Sequence, residues 1–326
     1  MTVTGASVTG RVRKRLRGYA RRLWYELDVG DAPSAFRNVE GGSVEQHVDR
    51  RLQLHHCLNY AAALTALDGA DHEQVGPQGQ GLRLLEVGCG SGALSHALAR
   101  VMPESWRLTA TDYDETLVGA AVLRHRHPRL AFGRVNLLDV TTASLPSCDA
   151  VLMIEVIEHF DTDVAGSPLA RLHAALRPGG RVVLTTLDRS GFPRRFSGYP
   201  PHRREYDRNA MAGMLANPRR NPFRTSRLWR LVSPRITRES IRAEERGGYA
   251  ANRLNGLALE LSRRFCLFGV AYRVALTAGL AVARYATNRR NGEFDVDGYL
   301  GTVDLCEDPK GELDGASFGL VAVLTR

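Results

Sequence analysis

The chain has 326 residues, of which 44% are hydrophobic and 24% charged, so it can bury a sizeable core and lacks the composition of a disordered protein. Its five cysteines are scattered and never form a C-x-x-C pair, which argues against a disulfide framework and a zinc knuckle and favours a cytoplasmic location. The net charge is +9, and arginine carries nearly all of the positive charge because the chain has only two lysines. No apolar stretch with a cleavage site follows the basic N-terminus, so no secretory signal is expected.

Three regions differ in pattern along the chain. Residues 1–70 are predicted to form an N-terminal helical segment, and a Gly- and Gln-rich linker follows it. Residues 80–190 alternate short apolar runs with helical patterns, which is typical of βαβ units in a doubly wound, Rossmann-like α/β sheet. Residues 191–326 begin as an Arg-rich insert with helical signals, predicted to form a lid or an acceptor pocket, and end in the closing part of the sheet.

The elements of the central region follow from apolar runs and turn residues. Strands are predicted at 82–88, 107–112, 129–136, 148–155 and 181–187, and a closing strand at 317–326. Helices are predicted at 93–102, 115–126 and 167–177, and the last is expected to end at Pro178-Gly179-Gly180 as a C-terminal cap.

Two further features bear on partners. Arginine clusters near the N-terminus and between residues 189 and 246 favour an acidic partner, such as a phosphorylated substrate, RNA or an anionic membrane, unless they form an ordinary solvated surface. The apolar segment 265–283 approaches the length of a membrane span, but Arg273 lies near its middle, where a charge is costly. We therefore predict a buried helix there, with a lid or a peripheral membrane contact as the alternative. The sequence does not indicate an oligomeric state.

A glycine-rich turn marks the candidate cofactor site. The first predicted strand carries Glu86 and runs directly into Gly88-Cys89-Gly90-Ser91-Gly92, which a helix follows. Glycines at these positions allow a tight turn and close approach of a ligand to the backbone. The next strand ends at Asp112, where a carboxylate can accept hydrogen bonds from both ribose hydroxyls of a nucleoside. The G-x-G-x-G spacing differs from the G-x-G-x-x-G fingerprint of dinucleotide sites.

These residues resemble a known family. The run from Glu86 to Gly92 resembles motif I of the class I S-adenosylmethionine-dependent methyltransferases, and the run RPGGRVVL at 177–184 resembles the family's approach to its fifth strand. The resemblance covers residues 80–190 and implies S-adenosylmethionine as the cofactor. It implies these cofactor-binding residues: Glu86, Gly88, Gly90, Gly92, Asp112 and Asn136, with Asp139 as the alternative to Asn136. A scaffold subunit without activity would be expected to have lost these motifs, and they are intact.

A cluster of ionisable residues follows the fourth predicted strand. Glu155, Glu158 and His159 would share one helix face if Glu155 began a helix. Such a group can hold a divalent cation, or it can place a histidine as general base. A hydroxyl must lose a proton before or during methyl transfer, so we expect these three residues to be catalytic, with His159 favouring an O-methyltransferase. Two neighbouring histidines, His55 and His56, are predicted to be structural.

The E-x-x-E-H element carries a second resemblance. It resembles that of ubiquinone-pathway O-methyltransferases and of small-RNA 3′-terminal 2′-O-methyltransferases, in which a later histidine completes a metal site. The run PHRREYDR at 201–208 resembles the later element D-H-x-F-E-W-T-R, with Pro, Arg, Tyr and Asp in place of Asp, Phe, Trp and Thr. It would make His202 the fourth ligand, beside Glu155, Glu158 and His159, of Mg²⁺, Mn²⁺ or Zn²⁺. The alternative is a pocket histidine without a metal.

The expected reaction is therefore O-methylation of a small-molecule hydroxyl, such as a phenol, a sugar or another secondary metabolite. The alternatives are 2′-O-methylation of RNA 3′ ends and methylation of a lipid-linked acceptor. Tyr199, His202 and Tyr206 follow the fifth strand and are predicted to line the acceptor pocket.

Overall fold

An eight-stranded mixed sheet flanked by helices forms the protein in the computed structural model, which describes residues 10–27, 50–68, 81–139, 145–161, 166–264, 294–308 and 311–326. The strands are β1 (Arg83–Val87), β2 (Arg107–Asp112), β3 (Leu130–Arg134), β4 (Cys148–Ile154), β5 (Leu176–Leu187), β6 (Thr225–Val232), β7 (Asp304–Cys306) and β8 (Ser317–Thr325). The helices are α1 (Gly10–Glu26), α2 (Arg50–Asp68), α3 (Ala93–Val101), α4 (Glu115–Arg124), α5 (Gly166–Ala175), α6 (Arg208–Ala216), α7 (Pro234–Ala243), α8 (Tyr249–Arg264) and α9 (Val296–Leu300).

The strand order places the site. It runs β3-β2-β1-β4-β5-β8-β6-β7, with β1 to β5 parallel and β8 antiparallel to both β5 and β6. The chain direction across the sheet reverses between β1 and β4, which pair directly, with Val87 opposite Met153. Ligands of open α/β sheets bind outside the carboxyl ends of the strands at such a switch point. The predicted doubly wound α/β fold is confirmed.

The core strands form because their side chains are apolar on both faces. All seven residues of β4 are buried, as expected for a parallel strand covered by helices on both sides. The sequence-predicted strands agree with the structure to within one or two residues, except that β5 begins earlier. Its first residue is Leu176, so α5 ends at Ala175 rather than at the Pro-Gly-Gly run. Gly179, with a φ of 77°, lies in an irregular stretch where the β4–β5 register shifts, and the predicted C-terminal cap was wrong.

The N-terminal arginines make intramolecular contacts. Arg13 pairs with Asp304, and Arg21 lies 2.6 Å from Asp297. Arg17 donates to the carbonyl oxygens of Val303 and Gly301, the latter at 2.8 Å. These bonds hold α1 against the segment around α9, so a large part of this arginine cluster is engaged within the chain.

Strands β6 and β7 were not predicted, because β6 contains two arginines, a threonine and a serine among its eight residues. Arg230 of β6 is only 1% exposed, and its guanidinium lies 2.6–2.7 Å from Asp188, Asp308 and Asp314. A buried guanidinium needs such partners, since an isolated buried charge is costly. Among the described residues, no helix combines the length and apolar character needed to cross a membrane, and the segment 265–283 lies outside the described residues.

Candidate cofactor and acceptor site

The turn after β1 depends on glycine for two different reasons. Gly88, Gly90 and Gly92 have φ values of 79°, 56° and 80°, a region that other residues rarely adopt. A Cβ atom at Gly88 would lie 2.4 Å from Val156, and one at Gly92 would lie 2.7 Å from Phe132. At Gly90 no heavy atom lies within 4 Å of that position. The first and third glycines therefore permit close packing, whereas the middle one faces open space.

Asp112 lies beside this turn at the end of β2. Its Oδ2 accepts the N–H of Gly90 at 2.9 Å, and its Oδ1 accepts the N–H of Asp114 at 3.0 Å. The residue is 6% exposed, and burial raises the pKa of the carboxyl despite the opposing N–H bonds. The structure thus brings the predicted ribose-binding acid and the glycine-rich turn together; their contacts with a cofactor remain a prediction.

Glu86 lies behind the turn, fully buried within β1. The Tyr60 hydroxyl of α2 donates to its carboxylate. Burial raises the pKa of Glu86 to about 7, and the bond from Tyr60 partly opposes that shift. Sequence reasoning did not single out Tyr60, since a tyrosine in an apolar helix is ordinarily a packing residue. The other predicted cofactor residue, Asn136, accepts the Leu138 N–H at 2.9 Å in the loop after β3.

That loop is held by an arginine of α5. Arg171 donates to the carbonyl oxygen of Asn136 at 3.1 Å and also to that of Asp139. Asn136 and Asp139, the two residues predicted as alternatives for binding the cofactor, therefore lie in one anchored turn.

Glu155 departs from the expected arrangement. It has a φ of 53° and does not begin a helix; a short 3-10 turn from Ile157 to His159 follows instead. Its carboxylate pairs with two imidazoles of α2, with His55 Nε2 at 3.0 Å and with His56 Nδ1. Burial would raise the pKa of Glu155, but the two imidazoles outweigh it and hold that pKa well below its usual value. The expectation that Glu155 shares a helix face with Glu158 and His159 was wrong.

Glu158, His159 and His202 do come together. One potential ligand atom from each lies within 4.8 Å of the others, and the two imidazole centroids are 5.0 Å apart. Glu158 is 1% exposed and accepts the Thr186 hydroxyl at 2.9 Å through Oε2, while Oε1 has no hydrogen-bond partner among the described residues. His159 is the most exposed of the three. The cluster thus presents a buried carboxylate oxygen towards two imidazoles.

The hydrogen bonds fix how each imidazole is used. His159 Nδ1 lies 3.2 Å from the Pro201 carbonyl oxygen, and His202 Nδ1 lies 2.7 Å from Glu205 Oε1. Both Nδ1 atoms therefore carry hydrogen towards these acceptors, which leaves each Nε2 for a ligand. The Glu205 bond to His202 is the carboxylate–histidine arrangement that commonly orients metal-binding or catalytic imidazoles. Sequence reasoning missed Glu205, although it lies three residues after His202.

The protonation states differ within the cluster. Although part of His159 is exposed, the surrounding protein removes water from its ring, and this effect, reinforced by the charge of His202, lowers the pKa of His159 to about 4. Burial raises the pKa of Glu158 to about 7. For His202, burial alone would lower the pKa, but Glu205 and Glu158 outweigh it and raise that pKa. At neutral pH, His159 is therefore a neutral hydrogen-bond acceptor, and Glu158 titrates near the working pH.

The cluster also fits a divalent metal. One carboxylate and two imidazoles are donors that zinc and other transition metals accept, and the unpartnered Glu158 oxygen needs a partner. Ligand atoms about 2 Å from one ion lie about 3–4 Å apart, so these groups would approach one another by about 1 Å. Glu155 belongs to a different cluster, so the structure assembles three of the four predicted ligands.

The predicted acceptor-lining residues separate. The Tyr199 ring lies 4.8 Å from the His202 ring and thus stays beside the cluster. Tyr206 is only 1% exposed and packs in a core cluster with residues of β1, β4, β5 and α6, so it does not offer a surface to an acceptor as predicted. Its backbone forms an isolated bridge to Asp188, directly after β5.

Comparisons with known proteins agree with this geometry. Residues 85–182 match the family model described as a methyltransferase domain. The ubiquinone biosynthesis O-methyltransferase of Xanthomonas campestris pv. campestris is 36% identical over 138 residues, which cover 41% of this chain and 49% of that relative. The equally named protein of Alkalilimnicola ehrlichii is 30% identical over 116 residues, covering 34% of this chain and 44% of the relative. The chain therefore spans about half the length of the curated relatives it matches.

The chain is also similar to a solved structure, that of phosphoethanolamine N-methyltransferase 2 from Haemonchus contortus, at 17% sequence identity and a TM-score of 0.43. The similarity covers 79% of this chain and 52% of the Haemonchus contortus chain. That likeness is too weak to indicate a reaction. The family match spans the glycine-rich turn, Asp112, Glu158 and His159, whereas His202 lies beyond the matched residues. Residues 85–182 of this chain are thus similar to a methyltransferase domain, and they contain all of the residues predicted for the S-adenosylmethionine site.

Proposed function

We propose that the protein transfers the methyl group of S-adenosylmethionine to a hydroxyl group of a small molecule. The observation that carries this proposal is the adjacency of the glycine-rich turn after β1 and the Glu158–His159–His202 cluster after β4. The two strands pair directly, and Val156 packs against Gly88. A methyl donor at the turn would therefore lie next to groups able to accept a hydroxyl proton. The relatives named ubiquinone biosynthesis O-methyltransferase support the same chemistry.

The mechanism needs one proton acceptor and a well-placed oxygen. His159 is neutral at pH 7, so its Nε2 can accept a hydrogen bond from another polar hydrogen of the acceptor molecule and orient the reacting hydroxyl towards Glu158. Glu158 then takes the proton, since a base with a pKa of about 7 matches the working pH. The oxygen forms its bond to the methyl carbon as the carbon–sulfur bond breaks, and S-adenosylhomocysteine leaves. The sulfonium charge is lost in the same step, so a low-dielectric site favours transfer.

A metal-assisted form of this reaction is the second candidate. It is supported by the proximity of His202 to Glu158 and His159 and by the Glu205–His202 bond. A divalent ion held by these three side chains would lower the pKa of the acceptor hydroxyl. An acceptor with vicinal hydroxyls, on a catechol or a ribose, would suit that arrangement.

Radiolabelled methyl transfer to a panel of catechols, phenols and sugars tests the proposal. We expect a methyl ether product whose formation falls by about 10²–10⁴-fold in Glu158→Gln and His159→Ala. Both variants should bind S-adenosylhomocysteine as the wild type does, because neither side chain lies at the glycine-rich turn. The matched control is His173→Ala, which removes an imidazole of α5 that packs against Phe223 and is not part of the cluster; this variant should keep full activity.

Measuring bound metal after purification and after chelation separates the two candidates. Loss of activity on chelation, restored by Mn²⁺ or Zn²⁺, supports the metal-assisted form. Products methylated on nitrogen or carbon only would contradict O-methylation.

A further inference from the structure

A basic groove runs along α7, apart from the residues assigned above. It consists of two adjoining depressions of about 450 Å³ and 250 Å³ that share Glu239 and Arg242. Five arginines line it: Arg51, Arg235, Arg238, Arg242 and Arg246. Glu239 is the only acidic residue among the lining side chains of the two depressions.

The carboxylate in the groove is already engaged. Glu239 lies 3.4 Å from Arg51, accepts the Tyr299 hydroxyl at 2.6 Å and lies 3.6 Å from Arg235. Arg235 also stacks over the Tyr299 ring at 3.7 Å. These contacts fix two of the arginines and neutralise part of their charge. The remaining three arginines of the groove are not balanced by Glu239.

Arg238, Arg242 and Arg246 are exposed, and none of them forms an ion pair with any other described residue. Arg238 and Arg242 are four residues apart on one helix, an arrangement in which like charges repel. A bound anion would relieve that repulsion. Guanidinium groups match both carboxylate and phosphate oxygens with two parallel hydrogen bonds. A phosphoryl group offers three such oxygens and up to two negative charges, so it can engage several of these arginines at once.

Helix α2 connects the groove to the acceptor side of the candidate site. Arg51 precedes His55 by one turn of α2, about 6 Å along the helix axis. His55 bonds to Glu155 at the carboxyl end of β4, three residues before Glu158. A ligand anchored at Arg51 and α7 can therefore reach towards the residues that follow β4.

We propose that this groove binds a phosphate or diphosphate group, and that the methyl acceptor carries it. The second half of this proposal rests on the proposed function; the first half stands on the groove alone. The acceptor class is then a hydroxyl compound with a phosphoryl group, either free in solution or as a lipid headgroup.

Calorimetric titration with pyrophosphate tests the groove directly. The wild type should bind it saturably, and Arg238→Ala/Arg242→Ala should weaken binding by at least about tenfold, as expected when charged hydrogen bonds are lost. The matched control is Arg219→Ala/Arg227→Ala, which removes two exposed arginines outside the groove and the same net charge. It should change the affinity by less than about twofold. No pyrophosphate binding, or equal weakening in both variants, would overturn the proposal.

Two further measurements identify the source of the phosphoryl group. Sedimentation with phosphatidylcholine vesicles, with and without phosphatidylglycerol, should show groove-dependent binding to the anionic vesicles if the source is a lipid headgroup. Pyrophosphate binding without vesicle binding assigns a free phosphorylated acceptor. Binding of single-stranded RNA in the absence of pyrophosphate binding would overturn the proposal. Each variant is also titrated with S-adenosylhomocysteine, whose affinity should not depend on the groove. A loss of S-adenosylhomocysteine binding would contradict the proposed function, whereas a loss of pyrophosphate binding alone would contradict only the groove proposal.

Discussion

Alanine at Gly88 should destabilise the fold more than alanine at Gly90, whereas alanine at Gly90 should weaken cofactor binding more. Both residues have positive φ, which costs an alanine about 1–2 kcal/mol. At Gly88 the new Cβ would also lie 2.4 Å from a Val156 methyl, and relieving such overpacking costs about 1–3 kcal/mol more. Gly90→Ala meets no heavy atom within 4 Å and adds no such cost. Gly88→Ala should therefore be destabilised by about 2–5 kcal/mol and Gly90→Ala by about 1–2 kcal/mol.

Binding should follow the reverse order. We expect the cofactor to occupy the space beside Gly90. A methyl group there should weaken S-adenosylhomocysteine binding by more than the loss of stability of the variant explains. Urea unfolding gives the free energies, and calorimetry below the unfolding range of each variant gives the affinities. Equal destabilisation by the two substitutions would refute the packing argument. Wild-type affinity in Gly90→Ala would refute the placement of the cofactor.

Three other predictions concern buried charges. The folded-state pKa of Glu86 is raised to about 7, so its ionisation destabilises the protein as pH rises from about 4.5 towards 7. Between pH 5 and 8, the free energy of unfolding of Glu86→Gln, measured in urea, should exceed that of the wild type by up to about 3 kcal/mol. Arg230→Ala leaves three carboxylates without their cation and should lower the free energy of unfolding by about 3–5 kcal/mol, whereas a loss below about 1 kcal/mol would show that the network is dispensable. Glu205→Gln removes a charge that raises the pKa of His202. The limb of the pH–rate profile that depends on His202 should therefore move to lower pH, while the affinity for S-adenosylhomocysteine stays unchanged. A pH–rate profile that does not move would assign Glu205 a purely structural role.

The cofactor half of the molecule could be predicted from the sequence because its signals are local. Strands β1, β2 and β4 are short apolar runs bounded by turn residues, and each ends next to the residue that the motif requires. The glycines of the turn have positive φ values, and a run of alternating glycines in the sequence indicates such a turn. The position of Asp112 at the end of β2 could be predicted from the end of the apolar run. Tyr60 could not be found in this way, because its bond to Glu86 joins residues far apart in the chain.

The acceptor half was harder to predict because its contacts are long-range. The E-x-x-E-H pattern gives one helix face only if the helix begins at Glu155, and a φ of 53° breaks that condition. The two imidazoles that hold Glu155 come from α2, about a hundred residues earlier. Strand β6 was missed because Arg230 looks like a surface residue until Asp188 and the later carboxylates surround it. His202 was predicted as a pocket residue from its position after the fifth strand and as a metal ligand through resemblance alone, and the structure places it beside Glu158 and His159.

Calorimetric titration of the purified protein with S-adenosylhomocysteine is the most direct test of the cofactor site. We expect stoichiometric binding with a dissociation constant of about a micromolar, weakened by on the order of a hundredfold in Asp112→Ala as charged hydrogen bonds to the ribose are lost. Absence of binding to the wild type would contradict the assignment of the glycine-rich turn and Asp112 as a cofactor site. Unchanged affinity in Asp112→Ala would contradict the role of that carboxylate.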